Sequence, residues 1–250
     1  MHEDSKKLDS TLLRPSGRQQ SINEVSVIWP QNITAARESQ LSLREKVKIL
    51  PLGSSPHFIA GADASAFNHT VIGVACLYSY PGIKSQEDAH VIGEAFFPYI
   101  PGFLSFREGP AILNALKRLK RHPDVILIDG QGIAHPRGVG IASHIGVLLD
   151  IPAIGCAKSR LIGEYQEPGP ERGEFSHITY AGKIVGAVVR TRDGVKPLFV
   201  SPGHLITLEE SLEIVINCAK RYRIPEPLRR ADRISRILKM CLDSGNRIEK

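Results

Sequence analysis

The residues of this 250-residue chain best suited to chemistry lie in the run Asp124-Val-Ile-Leu-Ile-Asp129-Gly-Gln-Gly-Ile-Ala-His135-Pro-Arg137-Gly. Four apolar residues, three of them β-branched, predict a buried strand that ends in an acid, followed by two glycines, a histidine and an arginine. Taken alone, Asp129-Gly130 is turn chemistry. Two other segments change that reading. Residues 58–62 form a second apolar run that delivers Asp63 to its end, and Tyr99-Ile-Pro-Gly-Phe-Leu-Ser-Phe-Arg107-Glu108-Gly-Pro supplies an acid where a helix starts. Carboxylates in such places suit a hard divalent cation: Mg2+ takes oxygen ligands, few of them carboxylates, keeps waters and accepts phosphate oxygens.

Positioning these acids requires a sheet and its flanking helices. From Asn32, the apolar residues Ile33, Ala36, Leu43, Val47 and Leu50 predict a helix that ends before Pro51. Strand-like runs follow at residues 58–62, 71–78 and 90–97, separated by Asn68-His-Thr and by a polar stretch over 81–88. Links this short predict antiparallel neighbours. Ile112, Leu113, Leu116 and Leu119 mark one helix face, with Lys117, Arg118, Lys120 and Arg121 opposite, before the strand over 125–128. That strand–helix–strand order favours parallel pairing. A helix over 141–149 and strands over 153–156, 183–190 and 198–200 continue the alternation. Thr207-Leu-Glu-Glu210 fits a capping box, and Leu228, Ala231, Ile234 and Leu238 line a last helix. The expectation is an α/β fold with a mixed central sheet flanked by helices.

With 42% hydrophobic residues the chain can bury one sizeable core, over residues 22–250. Residues 1–21 are polar, carry Pro15 and Gly17 and read as a flexible N-terminal extension. No run of about eighteen apolar residues or apolar leader core occurs, so a cytoplasmic protein without a membrane partner is expected. Cys76, Cys156, Cys218 and Cys241 form no C-x-x-C pair and predict packing thiols rather than disulfides or a zinc site. The net charge of +6 favours a polyanionic partner.

An acid after the first strand, a second on the helix after the third and a third after the next strand follow the order of a ribonuclease-H-like core, which brings those ends to one sheet edge. A metal held there by Asp63, Glu108 and Asp129 would lower the pKa of a bound water, orient it in line with a phosphorus and neutralise the leaving oxygen. Phosphodiester hydrolysis is the chemistry implied. Singly, Asp63 could cap a turn and Glu108 could complement the positive end of its helix. Their coincidence favours the metal. Gly130 and Gly132 let backbone approach a base or phosphate closely. They do not make a dinucleotide fingerprint, because His135 stands where the third glycine would be.

The chain resembles the endonuclease V family of deoxyinosine-directed repair nucleases. The resemblance spans about residues 22–240 and rests on Gly61-Ala-Asp63-Ala-Ser, Pro98-Tyr99-Ile-Pro101-Gly102-Phe-Leu104-Ser-Phe-Arg107-Glu108-Gly-Pro, Asp129-Gly-Gln-Gly132-Ile-Ala-His135-Pro-Arg137-Gly, Gly155-Cys-Ala-Lys158-Ser and Val200-Ser-Pro-Gly203-His204. It implies a ribonuclease-H-like fold in which Asp63, Glu108 and Asp129, with Asp232 as a further ligand, bind Mg2+ or Mn2+ beside the scissile phosphate. It also implies that Lys158 stabilises negative charge there and that His135 helps hold the attacking water or a phosphate oxygen. Pro98, Tyr99, Ile100 and Pro101 resemble a wedge that fills the gap left by an extruded base, and Arg107 and Arg137 are the accompanying DNA contacts. Extrusion costs a few kcal/mol of stacking and pairing, part of which a wedge offsets. Gly102, Leu104, Gly130, Gly132 and Ile141 are the implied walls of the lesion pocket. Ala62 and Ala64 stand where the family has more valine, which bears on packing rather than on metal binding.

The activity implied is hydrolysis of the second phosphodiester bond 3′ to deoxyinosine in DNA by a monomer, leaving 3′-hydroxyl and 5′-phosphate ends. An inosine-RNA-directed or structure-selective nuclease on the same core remains open, because contacts to a 2′-hydroxyl are not legible in one sequence. A non-catalytic nucleic-acid-binding module is the third reading, and the intact acids argue against it.

Overall fold

A strand whose side chains are apolar on both faces needs cover on both sides, and this fold provides it. The computed structural model describes residues 27–244, and the extension expected over residues 1–21 lies outside them. In chain order the elements are α1 (Ile33–Arg44), β1 (Phe58–Phe67), β2 (Thr70–Ser79), β3 (Lys84–Glu94), α2 (Leu104–Lys117), β4 (Val125–Asp129), α3 (Ile141–Leu149), β5 (Ala153–Ala157), β6 (Phe175–Tyr180), β7 (Lys183–Val189), β8 (Leu198–His204), α4 (Leu208–Cys218) and α5 (Glu226–Asp243). The eight strands form one mixed sheet in the order β3-β2-β1-β4-β5-β8-β7-β6. β1 pairs antiparallel with β2 and parallel with β4, and β4 pairs parallel with β5.

Side-chain alternation along β4 divides the core. Ile126 and Ile128 pack with α2 and α3 through Ile112, Leu116 and Ile145, while Val125 and Leu127 pack with Leu212, Val215 and Leu228 of α4 and α5. All four strand residues are fully buried, each worth about 1.5–3 kcal/mol in apolar transfer. The same alternation fixes the acids. Ala62 pairs with Ile128 in parallel register, so the next residues, Asp63 and Asp129, stand side by side on the α4/α5 face. Asp129 ends β4, whereas Asp63 lies midway along β1, which runs on to Phe67 in its pairing with β2 instead of ending at the acid as expected.

Helix α5 lies close over that face because β1 carries no side chain beneath it. A Cβ on Gly61 would fall 2.3 Å from the carbonyl carbon of Pro227. Further along α5, Arg230 grips Asp88 of β3 through both carboxylate oxygens, at 2.7 Å from Nε to Oδ1 and 2.5 Å from Nη2 to Oδ2. These two contacts set the placement of Asp232.

Several elements differ from expectation. The first helix stops at Arg44, and Lys48 instead pairs with the end of β8, accepting from the Leu205 N–H. The third strand covers 84–94 rather than 90–97, because residues 84–88 of the polar stretch join the strand as an exposed edge with few buried positions, while residues 81–83 form the turn before it. Glu108 sits in the second turn of α2, not at its start. β6 carries no apolar alternation, with Ile178 its one buried residue, and gave no strand signal. The thiols agree with expectation: Cys76, Cys156 and Cys218 are buried and unpaired, and Cys241 is half-buried.

Gly61→Ala is expected to lower stability by about 1–3 kcal/mol, the usual cost of overpacking. Gly93→Ala, whose Cβ meets nothing within 4 Å, should stay within about 0.5 kcal/mol of the parent. Urea denaturation of the two variants measures the difference.

Candidate active site

Three carboxylates from three elements meet where β4 ends beside the middle of β1. Asp63, Asp129 and Asp232 each present an oxygen, and these oxygens lie within 4.8 Å of one another. Asp63 is 8% exposed and accepts a hydrogen bond from the hydroxyl of Ser235, at 3.2 Å. Ser235 is fully buried and bonded in turn to Ser65, at 2.9 Å between hydroxyls. Lys158, one residue past β5, places its ammonium 2.5 Å from Asp129 Oδ2 and 3.5 Å from Asp232 Oδ1. Arg236, one turn along α5, reaches Asp232 at 2.9 Å.

Glu108 stands outside this group of three, differing from the expectation that it converges with Asp63 and Asp129. It comes from α2 in the opposite helix layer and approaches the sheet edge from that side. Asp232 takes the third place. Glu108 is nonetheless close enough to feel its neighbours' charge: burial first, then repulsion by Asp63 and Asp129, push its carboxyl up to about 8. Burial first and then the charge of Asp129 likewise push Asp63 up to about 7. Burial works against the charge on Lys158, but its bond to Asp129 and the surrounding carboxylates outweigh this and raise its pKa. An oxygen-only donor set with one buried and two half-buried carboxylates, close enough to repel one another, fits a hard divalent cation.

Beside the acids a cleft of about 320 Å3 is lined by Gly102, Leu104, Gly130 and Ile141, four of the residues expected there, and also by Asp129 and Lys158. Gly132 does not line it. A Cβ on Gly132 would lie 2.1 Å from the Pro202 carbonyl oxygen, so this glycine serves the close approach of the loop to β8, where its N–H donates to Ser201 Oγ at 2.8 Å. Gly130 has φ +147°, and a Cβ there would come within 2.5 Å of Ile141 Cγ2 in the cleft wall.

The segment bearing Tyr99 forms the rim. Tyr99 is 69% exposed, with Pro98 and Pro101 exposed beside it, while Ile100 packs against Phe97, Phe103 and Phe106. The Gly102 carbonyl receives three donors: Gln40 Nε2 at 3.0 Å, His135 Nε2 at 3.0 Å and Arg137 Nη2 at 2.5 Å. Arg137 also donates to Gln40 Oε1 at 2.5 Å and stacks over Phe103, 4.2 Å from the ring centre. His135 has both ring nitrogens engaged, because Nδ1 accepts from the Arg137 N–H at 3.2 Å and leaves Nε2 as the protonated donor. Burial and the neighbouring Arg137 hold it down at about 4, so it is neutral. Arg107 donates to the backbone carbonyls of Phe97 and Asn68, at 3.1 and 3.4 Å. His135, Arg107 and Arg137 thus all hold backbone around the exposed tyrosine.

Gln40 and Ser235 escaped the sequence reading. Each is an uncharged polar residue on a helix whose partner lies more than sixty positions away. Their only signal is polarity on an otherwise apolar, buried face.

An open sheet of this order, with acids gathered where the central strand β4 ends beside β1, defines an α/β protein of the ribonuclease-H-like class. Known proteins narrow this further. The family model for Endonuclease V matches residues 41–233. Endonuclease V of Geotalea uraniireducens (strain Rf4) is 46% identical over 209 residues, covering 84% of this chain and 89% of the relative. The crystal structure of Endonuclease V from Streptomyces avermitilis is similar with a TM-score of 0.81 at 38% identity, covering 86% of this chain and 96% of that one. Ciona intestinalis Endonuclease V, crystallised with a 24mer DNA containing an inosine followed by a ribo-adenosine, gives a TM-score of 0.73 at 31% identity, covering 85% and 100%. The chain belongs to the Endonuclease V family and is an endonuclease. Among the described residues, no helix is long and apolar enough to cross a membrane.

The raised carboxyls link stability to pH. An acid whose folded pKa lies above its ordinary value contributes stability at low pH that is lost as pH rises: from about 4 to 7 for Asp63 and from about 4.5 to 8 for Glu108. His135, depressed to about 4, acts in the opposite sense only below about 6.5. The metal-free protein should therefore lose thermal stability between about pH 6.5 and 8, and Glu108→Gln should flatten that slope. A divalent metal should raise Tm more at pH 8 than at pH 6, because its ligands must be deprotonated. A Tm that rises across this window in metal-free protein would contradict the arrangement.

Proposed function

We propose that this endonuclease acts on deoxyinosine-containing DNA, using Mg2+ or Mn2+ to hydrolyse the second phosphodiester bond 3′ to the lesion. The observation that carries this reading is the adjacency of the acid cluster to a cleft rimmed by an exposed tyrosine on a braced loop. The inosine-containing DNA bound by the Ciona relative supports the substrate class.

In this reading Asp63, Asp129 and Asp232 would hold the metal, with Glu108 completing the edge from the opposite layer. The bound cation would supply charge neutralisation at the phosphate and a more acidic water. A water oxygen bonds to phosphorus, the bond from phosphorus to the 3′ oxygen breaks, and a proton finishes on that oxygen. The products are 3′-hydroxyl and 5′-phosphate ends. Lys158 places a fixed positive charge against the phosphate oxygens as negative charge builds. The extruded base occupies the cleft between Gly102 and Ile141, and Tyr99 fills the gap it leaves. His135, Arg107 and Arg137 act by holding the Tyr99 segment in place. Unpaired thiols accord with a reducing compartment such as the cytoplasm.

Inosine in RNA is a second reading, favoured by the ribo-adenosine that follows inosine in the strand bound to the Ciona protein. Metal-dependent nicking of duplexes that differ only by inosine or guanine, each with deoxyribose or ribose 3′ to the variable base, separates the readings. Selective cutting after inosine is expected, and equal cutting of inosine and guanine duplexes would overturn the assignment. Asp129→Ala should reduce nicking at least about a thousandfold while largely sparing binding, a scale typical of losing a principal electrostatic group. Tyr99→Ala should weaken binding to inosine duplexes about tenfold and to inosine single strands much less, since a single strand has less stacking to disrupt. Equal losses on both would remove the wedge role.

A further inference from the structure

We infer that the basic loop over residues 220–223, between α4 and α5, together with Arg192, forms a track for the phosphates of the substrate strand on the 3′ side of the cleaved bond. The strand polarity in this inference rests on the proposed function above.

The loop Lys220-Arg221-Tyr222-Arg223 carries three cations and no acid. Lys220 and Arg221 are exposed, and neither makes an ion pair among the described residues. Tyr222 sits between two guanidinium groups, with Arg229 4.3 Å and Arg221 5.8 Å from its ring centre. Such cation–π contacts limit the freedom of both arginines; Arg229 is also paired with Glu226 at 2.6 Å, whereas Arg221 makes no ion pair among the described residues. Arg192, exposed on the turn after β7, donates to the Arg221 carbonyl at 3.1 Å and so adds a fourth cation on a second element.

The loop is wired to the active site. Arg223 Nη2 donates to the carbonyl of Lys158 at 3.1 Å and to that of Pro197 at 2.6 Å, and the Arg223 carbonyl accepts from Thr191 at 2.7 Å. The cleft proposed for the extruded base also reaches Lys158, yet none of residues 190–225 lines it. The base cleft and the basic loop therefore approach the acids from different sides. If the base lies 5′ of the cleaved bond, the strand that leaves the acids beside Lys158 on its 3′ side meets the Arg223–Arg221–Lys220 surface. Exposed cations with no acid among residues 220–223 complement regularly spaced phosphates and carry no sequence preference; the acids nearest them in sequence are Asp193, next to Arg192, and Glu226, which is paired with Arg229.

The test uses the full chain and the double variant Lys220→Glu/Arg221→Glu, neither residue belonging to the catalytic machinery. Single-turnover nicking is followed on inosine duplexes with a fixed 5′ arm and 3′ arms of increasing length. For the parent, the half-saturating concentration should fall as the 3′ arm grows. The variant should lose that gain, rising about tenfold or more on long 3′ arms, with maximal rate and Tm unchanged and no penalty on the shortest arm. Its dependence on salt should be shallower by about two phosphate contacts, roughly 0.9 in log–log slope for each. Parent-like half-saturation on long arms would overturn the inference, as would a penalty that follows the length of the 5′ arm. A parent enzyme that cuts guanine and inosine duplexes alike would instead refute the proposed substrate, and the arm-length comparison would still decide whether the track exists.

Discussion

Two like charges held side by side govern this molecule. The parallel register of β1 and β4 leaves Asp63 and Asp129 on neighbouring strands, facing the same way, with Asp232 lowered onto them by α5. Nothing in the backbone relieves their repulsion. The protein answers it with protons on the most buried carboxyls and with the ammonium of Lys158, which spans two of the three acids. Both answers are provisional. A proton or an ammonium can leave, whereas the close spacing is fixed by the sheet, so the edge retains its demand for positive charge. The geometry that makes the metal-free site uncomfortable is the geometry in which these carboxylates would hold a hard cation.

That spacing depends on absences as much as on contacts. Gly61 lets the backbone of α5 settle directly on β1, and Gly132 lets the loop after β4 press against β8. A side chain at either place would spread the layers and carry the acids apart. Arg230, gripping Asp88 on the far strand of the sheet, fixes the rotation of α5 two residues before Asp232. The place of the Asp232 carboxylate in the acid cluster is therefore governed by an ion pair in which it takes no part.

Legibility in the sequence followed the range of the physics involved. Asp63 and Asp129 could be read because each ends an apolar run, and a strand buried on both faces writes itself into consecutive residues. The mixed sheet followed from link lengths in the same way. β6 could not be read, since an edge strand with one buried side chain leaves no period. The place of Asp232 relative to Glu108 was equally hidden, because it depends on how two helix layers lie across the sheet and not on spacing along the chain. Lys158 and His135 stood out by motif, but the motif is silent on what their nitrogens touch. Only the fold shows the lysine bonded to an acid and the histidine turned inward onto a carbonyl. Gln40, Ser235 and Arg223 lay beyond reach for the same reason: their work is done on partners distant in sequence.

The Gly102 carbonyl, with three donors crowded onto one oxygen, leaves the loop behind Tyr99 little slack. In the proposed reading, a tooth set this firmly would not mould itself to whatever helix it meets. Recognition would then fall to the nucleic acid, whose weakest pair must yield, because the protein would have no softer shape to offer. Such a reader would be selective through stiffness, passing over well-stacked steps quickly and lingering where the helix already breathes.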